Sequence, residues 1–364
     1  MSGKHFFVCG NTAKGFCDFF GDNIGPLSKI FILKGGPGIG KSTLMKKIGK
    51  KLEKLEYNVE YVHCSSDPDS LDGVLVPKLG FGIVDGTAPH VIEPKAPGAI
   101  EEYVNLGRAF NTDELAIHTK EILDIQNNIK QCYEKAYEEF AKGLKVHDEW
   151  EKIYIENMDF SKANKLTEEV INSLFGVINL NKISSVKNRF FGASTPYGSK
   201  DFIENITEDI GTRYFIKGRP GTGKSTILKK ILENAKDRGI DTEVYHCGFD
   251  PDSLDMLLFP ELNICIFDST APHEYFPSRE GDFIIDVYDK LINAHTDEIY
   301  QSELTDIVAR YKFYVDRGIE ELAKAKSYHD KLEKFYIETT DFKVIDEFYE
   351  ELYKKIIKYH NSEV

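Results

Sequence analysis

The sequence predicts an α/β protein made of two tandem domains, each a parallel sheet covered by helices, with a long helical segment after the third strand of each. Three observations carry this. The stretch GGPGIGKST (Gly35 to Thr43) returns as GRPGTGKST (Gly218 to Thr226), and each copy lies between an apolar run and a helical pattern. Displaced by 183 residues, the chain overlays itself: Phe7, Thr12, Gly15 and Phe19 fall on Phe190, Thr195, Gly198 and Phe202, and Lys41 falls on Lys224. Asp67-Pro-Asp-Ser-Leu-Asp72 falls on Asp250-Pro-Asp-Ser-Leu-Asp255, and Thr87-Ala-Pro-His90 on Thr270-Ala-Pro-His273. Strand-like runs alternate with helical ones, the pattern of a parallel sheet covered on both faces.

The repeat is domain-sized, which implies a duplicated domain rather than a solenoid. At a displacement of 182 it extends to His147-Asp148 on His329-Asp330 and Tyr154-Ile-Glu156 on Tyr336-Ile-Glu338. The domains are therefore set at 1–183 and 184–364, with the join in the polar stretch from Asn179 to Asn188.

Within each unit the first strand is Ile30–Leu33 or Tyr214–Ile216, leading into the glycine loop and then a helix. A second strand, Val59–Val62 or Glu243–Tyr245, ends at His-Cys. A third, Phe81–Val84 or Ile264–Phe267, ends at an aspartate. Beyond it Leu115, Ile122, Ile125, Ile129, Ala136 and Phe140 recur at helical spacing, as do Leu304, Ile307, Tyr311, Gly318, Leu322 and Ala325. The expectation is a helical layer packed on its own domain; a lid or partner-binding arm is the alternative, because a narrow apolar stripe on a charged helix also suits helix pairing.

Composition narrows the class. A chain of 364 residues with 41% hydrophobic residues, 24 Phe and 19 Tyr can bury two cores. Its 60 acidic against 46 basic residues leave a net charge of -14, which argues against nucleic acid and anionic lipid as partners. No apolar run reaches the roughly 18 residues of a membrane span, and MSGKHFFVCG lacks the apolar core of a secretory signal, so a cytoplasmic protein is expected. Six cysteines without a C-x-x-C pair suggest neither a disulfide framework nor a cysteine-type zinc site.

The pattern G-x-x-x-x-G-K-[ST] has a physical reason at each place. Glycines let the backbone wrap closely so that N–H groups point inward at phosphates, and the following helix offers its positive N-terminus. The binding loop is thus assigned to Gly35, Gly36, Pro37, Gly38, Ile39, Gly40, Lys41, Ser42 and Thr43, and to Gly218, Arg219, Pro220, Gly221, Thr222, Gly223, Lys224, Ser225 and Thr226. Lys41 and Lys224 would reach the β and γ phosphates; Ser42 and Ser225 would place their hydroxyls on Mg²⁺. Arg219, where the first copy has Gly36, either adds charge near a phosphate or points to solvent.

These residues resemble the P-loop NTPase superfamily over the sheet part of both halves, and the tandem layout looks like a family of double-P-loop ATPases of firmicute bacteria, a match that carries no assigned reaction. The resemblance implies that Asp85 and Asp268, each closing an apolar strand, assist Mg²⁺ through water. Gly86-Thr87 and Ser269-Thr270 stand where many ATP-hydrolysing relatives carry a water-polarising glutamate, so the general base lies elsewhere. No N-K-x-D element reads guanine, which makes ATP the expected nucleotide, and no L-S-G-G-Q-type signature supports a transporter-like reading.

Asp67, Asp69 and Asp72 follow the carboxyl end of a strand, the edge where open sheets bind ligands. Asp67 and Asp69, repeated as Asp250 and Asp252, resemble the arrangement in which an aspartate of small-molecule kinases holds or deprotonates an acceptor hydroxyl, a role given first to Asp67 and Asp250; Asp69 or Ser70 could instead cap a short helix. His90 and His273 are expected to be hydrogen-bonded structural histidines, with a γ-phosphate contact or proton relay as the alternative. His63, Cys64 and His90 have no recognised metal spacing. The expectation is Mg²⁺-dependent ATP hydrolysis or phosphoryl transfer at two sites, with a small-molecule acceptor, a protein partner and homo-oligomerisation left open.

Overall fold

The computed structural model describes residues 3–363; Met1, Ser2 and Val364, at the outer bounds of the two repeats, lie outside the described residues. The first repeat runs β1 (Lys4–Phe7), β2 (Cys9–Thr12), β3 (Gly15–Asp18), α1 (Phe20–Ile24), β4 (Lys29–Lys34), α2 (Lys41–Glu53), β5 (Glu60–Cys64), β6 (Asp67–Val76), β7 (Phe81–Asp85), β8 (Glu101–Asn105), α3 (Thr112–Ile117), α4 (Thr119–Glu156) and α5 (Phe160–Phe175). The second runs β9 (Val186–Phe190), β10 (Gly192–Thr195), β11 (Gly198–Asp201), α6 (Ile203–Thr207), β12 (Thr212–Lys217), α7 (Lys224–Asp237), β13 (Thr242–His246), β14 (Leu254–Phe259), β15 (Ile264–Asp268), β16 (Asp282–Asp286), α8 (Val287–Leu291), α9 (Thr296–Ile299), α10 (Gln301–Glu338) and α11 (Phe342–Glu363). Among the described residues no helix is long and apolar enough to cross a membrane.

The fold is α/β around one 12-stranded sheet in the order β16-β12-β15-β14-β13-β9-β1-β5-β6-β7-β4-β8, which reads the same from either end when the repeats are exchanged. Two expectations are corrected here. The sheet is mixed: β6 and β14 run antiparallel to both neighbours, because the chain returns from β5 and β13 through short turns and not through crossover helices. It is also continuous across the repeats, since β1 pairs antiparallel with β9. The residues facing each other there, Phe7 and Phe190, are each other's repeat equivalents, so a pseudo-twofold axis passes between them.

Alternation along β4 shows how the sheet is covered. Phe31 and Leu33 face α2 with Leu44, Met45 and Ile48. Ile30 and Ile32 face the other way, onto Phe20 and Ile24 of α1, in a core that continues into Ile203, Ile206 and Phe215 of the second repeat.

The helical segment packs on its own repeat only in part, as where Tyr137 of α4 donates to Asn11 of β2 at 3.0 Å and Tyr311 of α10 meets the Phe249 ring; its main partner is the equivalent helix of the other repeat. α4 and α10, 38 residues each, span about 57 Å and lie antiparallel, with Arg310 paired to Glu149 at 2.7 Å and Arg317 to Glu139 at 3.2 Å along the seam. At their crossing Gly318 admits the Phe140 ring, which a β-carbon there would strike; the equivalent positions carry Leu322 and Ala136, the same large-against-small pairing, all within one buried cluster. Each long helix hands its successor to the opposite repeat. Leu166, Val170 and Leu174 of α5 complete the core around α7, and Ile345, Tyr349, Leu352 and Ile356 of α11 complete the core around α2. The boundary at 183 and 184 divides the sequence repeats but not the packing.

On the axis, Arg189 is fully buried and binds two equivalent carboxylates, Glu60 at 2.9 Å and Glu243 at 3.2 Å. Its guanidinium lies 3.7 Å over the ring of Phe6, its own repeat equivalent. A second arginine in place of Phe6 would put two buried cations on the axis. Burial pushes Glu243 upward, but Arg189 and Lys4 outweigh it and hold the carboxyl well below its ordinary value of 4.5. A depressed carboxyl contributes stability that is present above pH 4.5 and lost as the pH falls towards its folded value. Arg189→Met, which leaves partly buried Glu60 without its guanidinium and buried Glu243 with Lys4 alone, should cost about 3 kcal/mol in chemical denaturation, the lower end for a broken buried pair. Adding Glu60→Gln and Glu243→Gln to Arg189→Met should restore much of that loss, and an unaltered midpoint in Arg189→Met would contradict the bridge.

Candidate functional site

Each glycine loop turns from a strand into a helix through two left-handed residues, Gly38 (φ 70°) and Gly40 (φ 95°) in one copy, Gly221 (φ 74°) and Gly223 (φ 85°) in the other, a conformation that a β-carbon disfavours. α2 and α7 begin at the lysines with no side-chain cap on either N-terminus. Their first-turn N–H groups therefore keep the anion-binding character of a free helix start. Ser42 and Ser225 each accept a bond from a backbone N–H, that of Leu71 or Leu254, at 3.0 Å, which ties the loop to the Asp-Pro-Asp segment in both copies.

Lys41 Nζ donates to the carbonyls of Gly35 at 2.9 Å and Gly36 at 3.2 Å and lies 3.3 Å from Asp85. Lys224 Nζ donates to the Arg219 carbonyl at 2.7 Å and lies 3.5 Å from Asp268. Asp85 Oδ1 also accepts from the amide and hydroxyl of Thr87, and Asp268 Oδ1 from the hydroxyl of Thr270. Loop amides, lysine, serine and strand-tip aspartate thus converge twice. The hard oxygen donors Ser42 with Asp85, and Ser225 with Asp268, suit Mg²⁺.

The opposite repeat covers each loop. Space left by Gly36 and Gly38 is filled by Tyr336 and Ile337 of α10, where added β-carbons would stand 2.6 and 2.8 Å from those side chains. Gly221 lies under the main chain of Glu151 in α4, the repeat equivalent of Glu333, which itself lies against Gly38. Arg219 is exposed and not turned into the loop: it pairs with Asp297 at 3.2 Å beside the Tyr288 ring, and Asp297 accepts from Tyr154 of α4 at 2.8 Å.

The long helices bring in residues that the sequence reading passed over. His147 stands 3.8 Å from Glu151, and His329 stands 3.8 Å from Glu333. Burial lowers the pKa of His147, opposed by Glu151 and Asp148, with Lys224 and Asp250 of the other repeat close enough to act on it. Their signal was present in the repeat alignment: histidine and glutamate four apart recur in both copies, beside the repeated Tyr-Ile-Glu.

The Asp-Pro-Asp segments are not helix caps, because strands follow them. Asp67 opens β6, accepts from Ser70 Oγ at 3.1 Å and faces Lys326 of α10 at 3.7 Å. Asp250 accepts from Ser253 Oγ at 3.1 Å and meets Lys14, from the β2–β3 turn, at 2.8 Å. Tyr197 and Leu144 occupy the repeat positions of Lys14 and Lys326, so each first aspartate receives one lysine of the other repeat from a different element. The Asp69 carbonyl accepts from Lys46. Behind the strand tips Asp72 and Asp255 are raised, Asp72 to about 6, chiefly by burial.

His63 is held by the Pro68 carbonyl at 2.7 Å and by His5 at 2.8 Å, away from His90. His273 is a hydrogen-bonded structural histidine, held by Asp201 at 2.6 Å and Ser199 at 3.2 Å, whereas the ring nitrogens of His90 have no hydrogen-bond partner. Comparison of the chain with family models, with curated proteins and with solved structures finds no match.

Gly221→Ala tests the covering arm. The new methyl group would need a left-handed backbone and would strike the main chain of Glu151, so a loss of about 1–3 kcal/mol is expected in thermal or chemical unfolding. An unchanged transition would mean that α4 does not rest on the loop.

Proposed function

We propose that the chain is a tandem P-loop ATP-binding protein that hydrolyses ATP, or transfers its γ-phosphoryl group, at two Mg²⁺-dependent sites. The observation that carries this is the twofold convergence of an uncapped helix N-terminus, a loop lysine, a loop serine and a strand-tip aspartate around left-handed glycines. Loop amides would bind the β and γ phosphates. Lys41 and Lys224 would swing from their loop carbonyls to the transferring group, and Ser42 with Asp85, or Ser225 with Asp268, would hold the ion. Mg²⁺ bound there neutralises charge developing on the phosphates, and positioning supplies most of the remaining acceleration.

The second reading, a nucleotide-gated switch, draws on the arms. A helix resting directly on a phosphate loop cannot keep that seat unchanged when the loop changes its contacts, so occupancy at one repeat would be read by the other. In the kinase form of the proposal Asp67 and Asp250 act on an acceptor hydroxyl, each beside one lysine of the other repeat. Stimulation of ADP formation by a small metabolite favours the kinase, and stimulation by a protein favours the switch.

Calorimetry should find two nucleotides per chain. Lys41→Ala or Lys224→Ala should weaken one of them by about 1.5–3 kcal/mol, the range of a charge-assisted contact, and leave the other. Turnover should fall far more than half in either single variant, because each site borrows an arm from the other repeat. One nucleotide per chain, in protein shown to carry none through purification, would overturn the two-site reading. Asp85→Asn with Asp268→Asn should keep binding and lose most turnover; full turnover in that double variant would remove both aspartates from the reaction.

A further inference from the structure

Beside the first glycine loop, Cys9 at the start of β2, Asp72 in β6 and His90 after β7 bring a thiol, a carboxylate oxygen and an imidazole nitrogen within 4.8 Å of one another, and all three residues are buried. Asp72 is 4% exposed and His90 8%. Asp72 Oδ2 and both ring nitrogens of His90 make no hydrogen bond, a costly arrangement for buried polar atoms. The rings nearest His90 are those of Phe20 and Phe16, which offer no polar partner.

The second repeat meets the same burial differently. Asp255 and His273 are retained, but Gly192 replaces Cys9, and His273 is satisfied by Asp201 and Ser199. In the first repeat the position of Ser199 is Phe16. One copy thus provides a hydrogen-bonded histidine, the other an unpartnered histidine facing a cysteine and a carboxylate.

We propose that Cys9, Asp72 and His90 form a single binding site for a thiophilic divalent cation, Zn²⁺ above all. A sulfur, a nitrogen and an oxygen donor are a zinc set rather than a magnesium one. Bonds of about 2.0–2.3 Å at a tetrahedral ion place donors roughly 3.5 Å apart, and His90 Nε2 stands 3.6 Å from Asp72 Oδ1. Binding releases the Cys9 proton to solvent, and thiolate plus carboxylate then balance the ion's two charges. Cys64, whose thiol bonds to Asp72, is the nearest candidate for a fourth donor. The ion would tie β2 and β6 to the segment that leaves Asp85, bracing the strand tip of the first loop only.

The site is tested without nucleotide. Full-length protein stripped with chelator and titrated with Co²⁺ should develop a thiolate-to-cobalt charge-transfer band that saturates at one ion per chain and is displaced by Zn²⁺. Cys9→Ser should remove the band, and His90→Gln should weaken Zn²⁺ binding at least about 100-fold, more than the 10- to 100-fold typical of a residue behind the ligands. Lys224→Ala, at the other glycine loop, should leave both readouts unchanged, which separates this site from the nucleotide reading. Absence of the band in wild type, or its persistence in folded Cys9→Ser, would overturn the proposal. If either variant fails to fold, Gly192 shows that a residue without a thiol is accommodated at that position in the other repeat, and Cys9→Gly then carries the same test.

Discussion

Everything distinctive about this molecule follows from the antiparallel pairing of α4 with α10. Each helix runs for 38 residues, and the two cross where Phe140 fills the space above Gly318 and Leu322 covers Ala136. A helix of that length is stiff, so fixing the crossing fixes both ends. The C-terminal end of each then reaches the glycine loop of the opposite repeat and is clamped there by short bridges, Phe110 with Thr340 and Met158 with Ile292, themselves repeat equivalents. The exchange of α5 and α11 between cores is the consequence. Gly36, Gly38 and Gly221 accordingly meet two demands, a backbone able to wrap an anion and a surface that another helix can approach.

The symmetry is broken where the two copies face each other and around the glycine loops. Two arginines on the axis would repel without solvent between them, and the chain has one, Arg189, lying over Phe6. Lysines on Asp67 and Asp250 come from different elements because Tyr197 and Leu144 stand at the equivalent places. Arg219 spends its charge on Asp297, where the first loop has Gly36 packed against Tyr336. These substitutions preserve the convergent loop groups in both copies while making the surroundings of each loop distinct. Under the proposed function, two loops of one composition in unequal settings would suit unequal affinity and communication through the arms.

Much of this was legible in the sequence. The repeat alignment located both loops, the strands before them, the helices after them and the strand-tip Asp85 and Asp268, because those features depend on local pattern. The exchange of helices was not legible for a definite reason: an apolar stripe states which face is buried but not against which copy, and the copies offer nearly the same surface. The antiparallel β6 was hidden by Asp67-Pro-Asp-Ser70, whose residues favour turns and caps, although Leu71, Val74 and Val76 supply a strand's buried face once β5 and β7 flank it. His147 and Glu151 lie far in sequence from Lys224, and only the folded arm brings them together.

If the two glycine loops bind nucleotide as proposed, each site is built from both repeats. Amide hydrogen exchange in a Lys41→Ala background, at an ATP concentration that fills only the loop from Gly218 to Thr226, tests it most directly. Binding stabilises what it contacts against local opening. Slowed exchange is expected in residues 147–156 of the first repeat, with residues 329–338 of the second unchanged. Protection confined to 329–338, or to the second repeat alone, would contradict it.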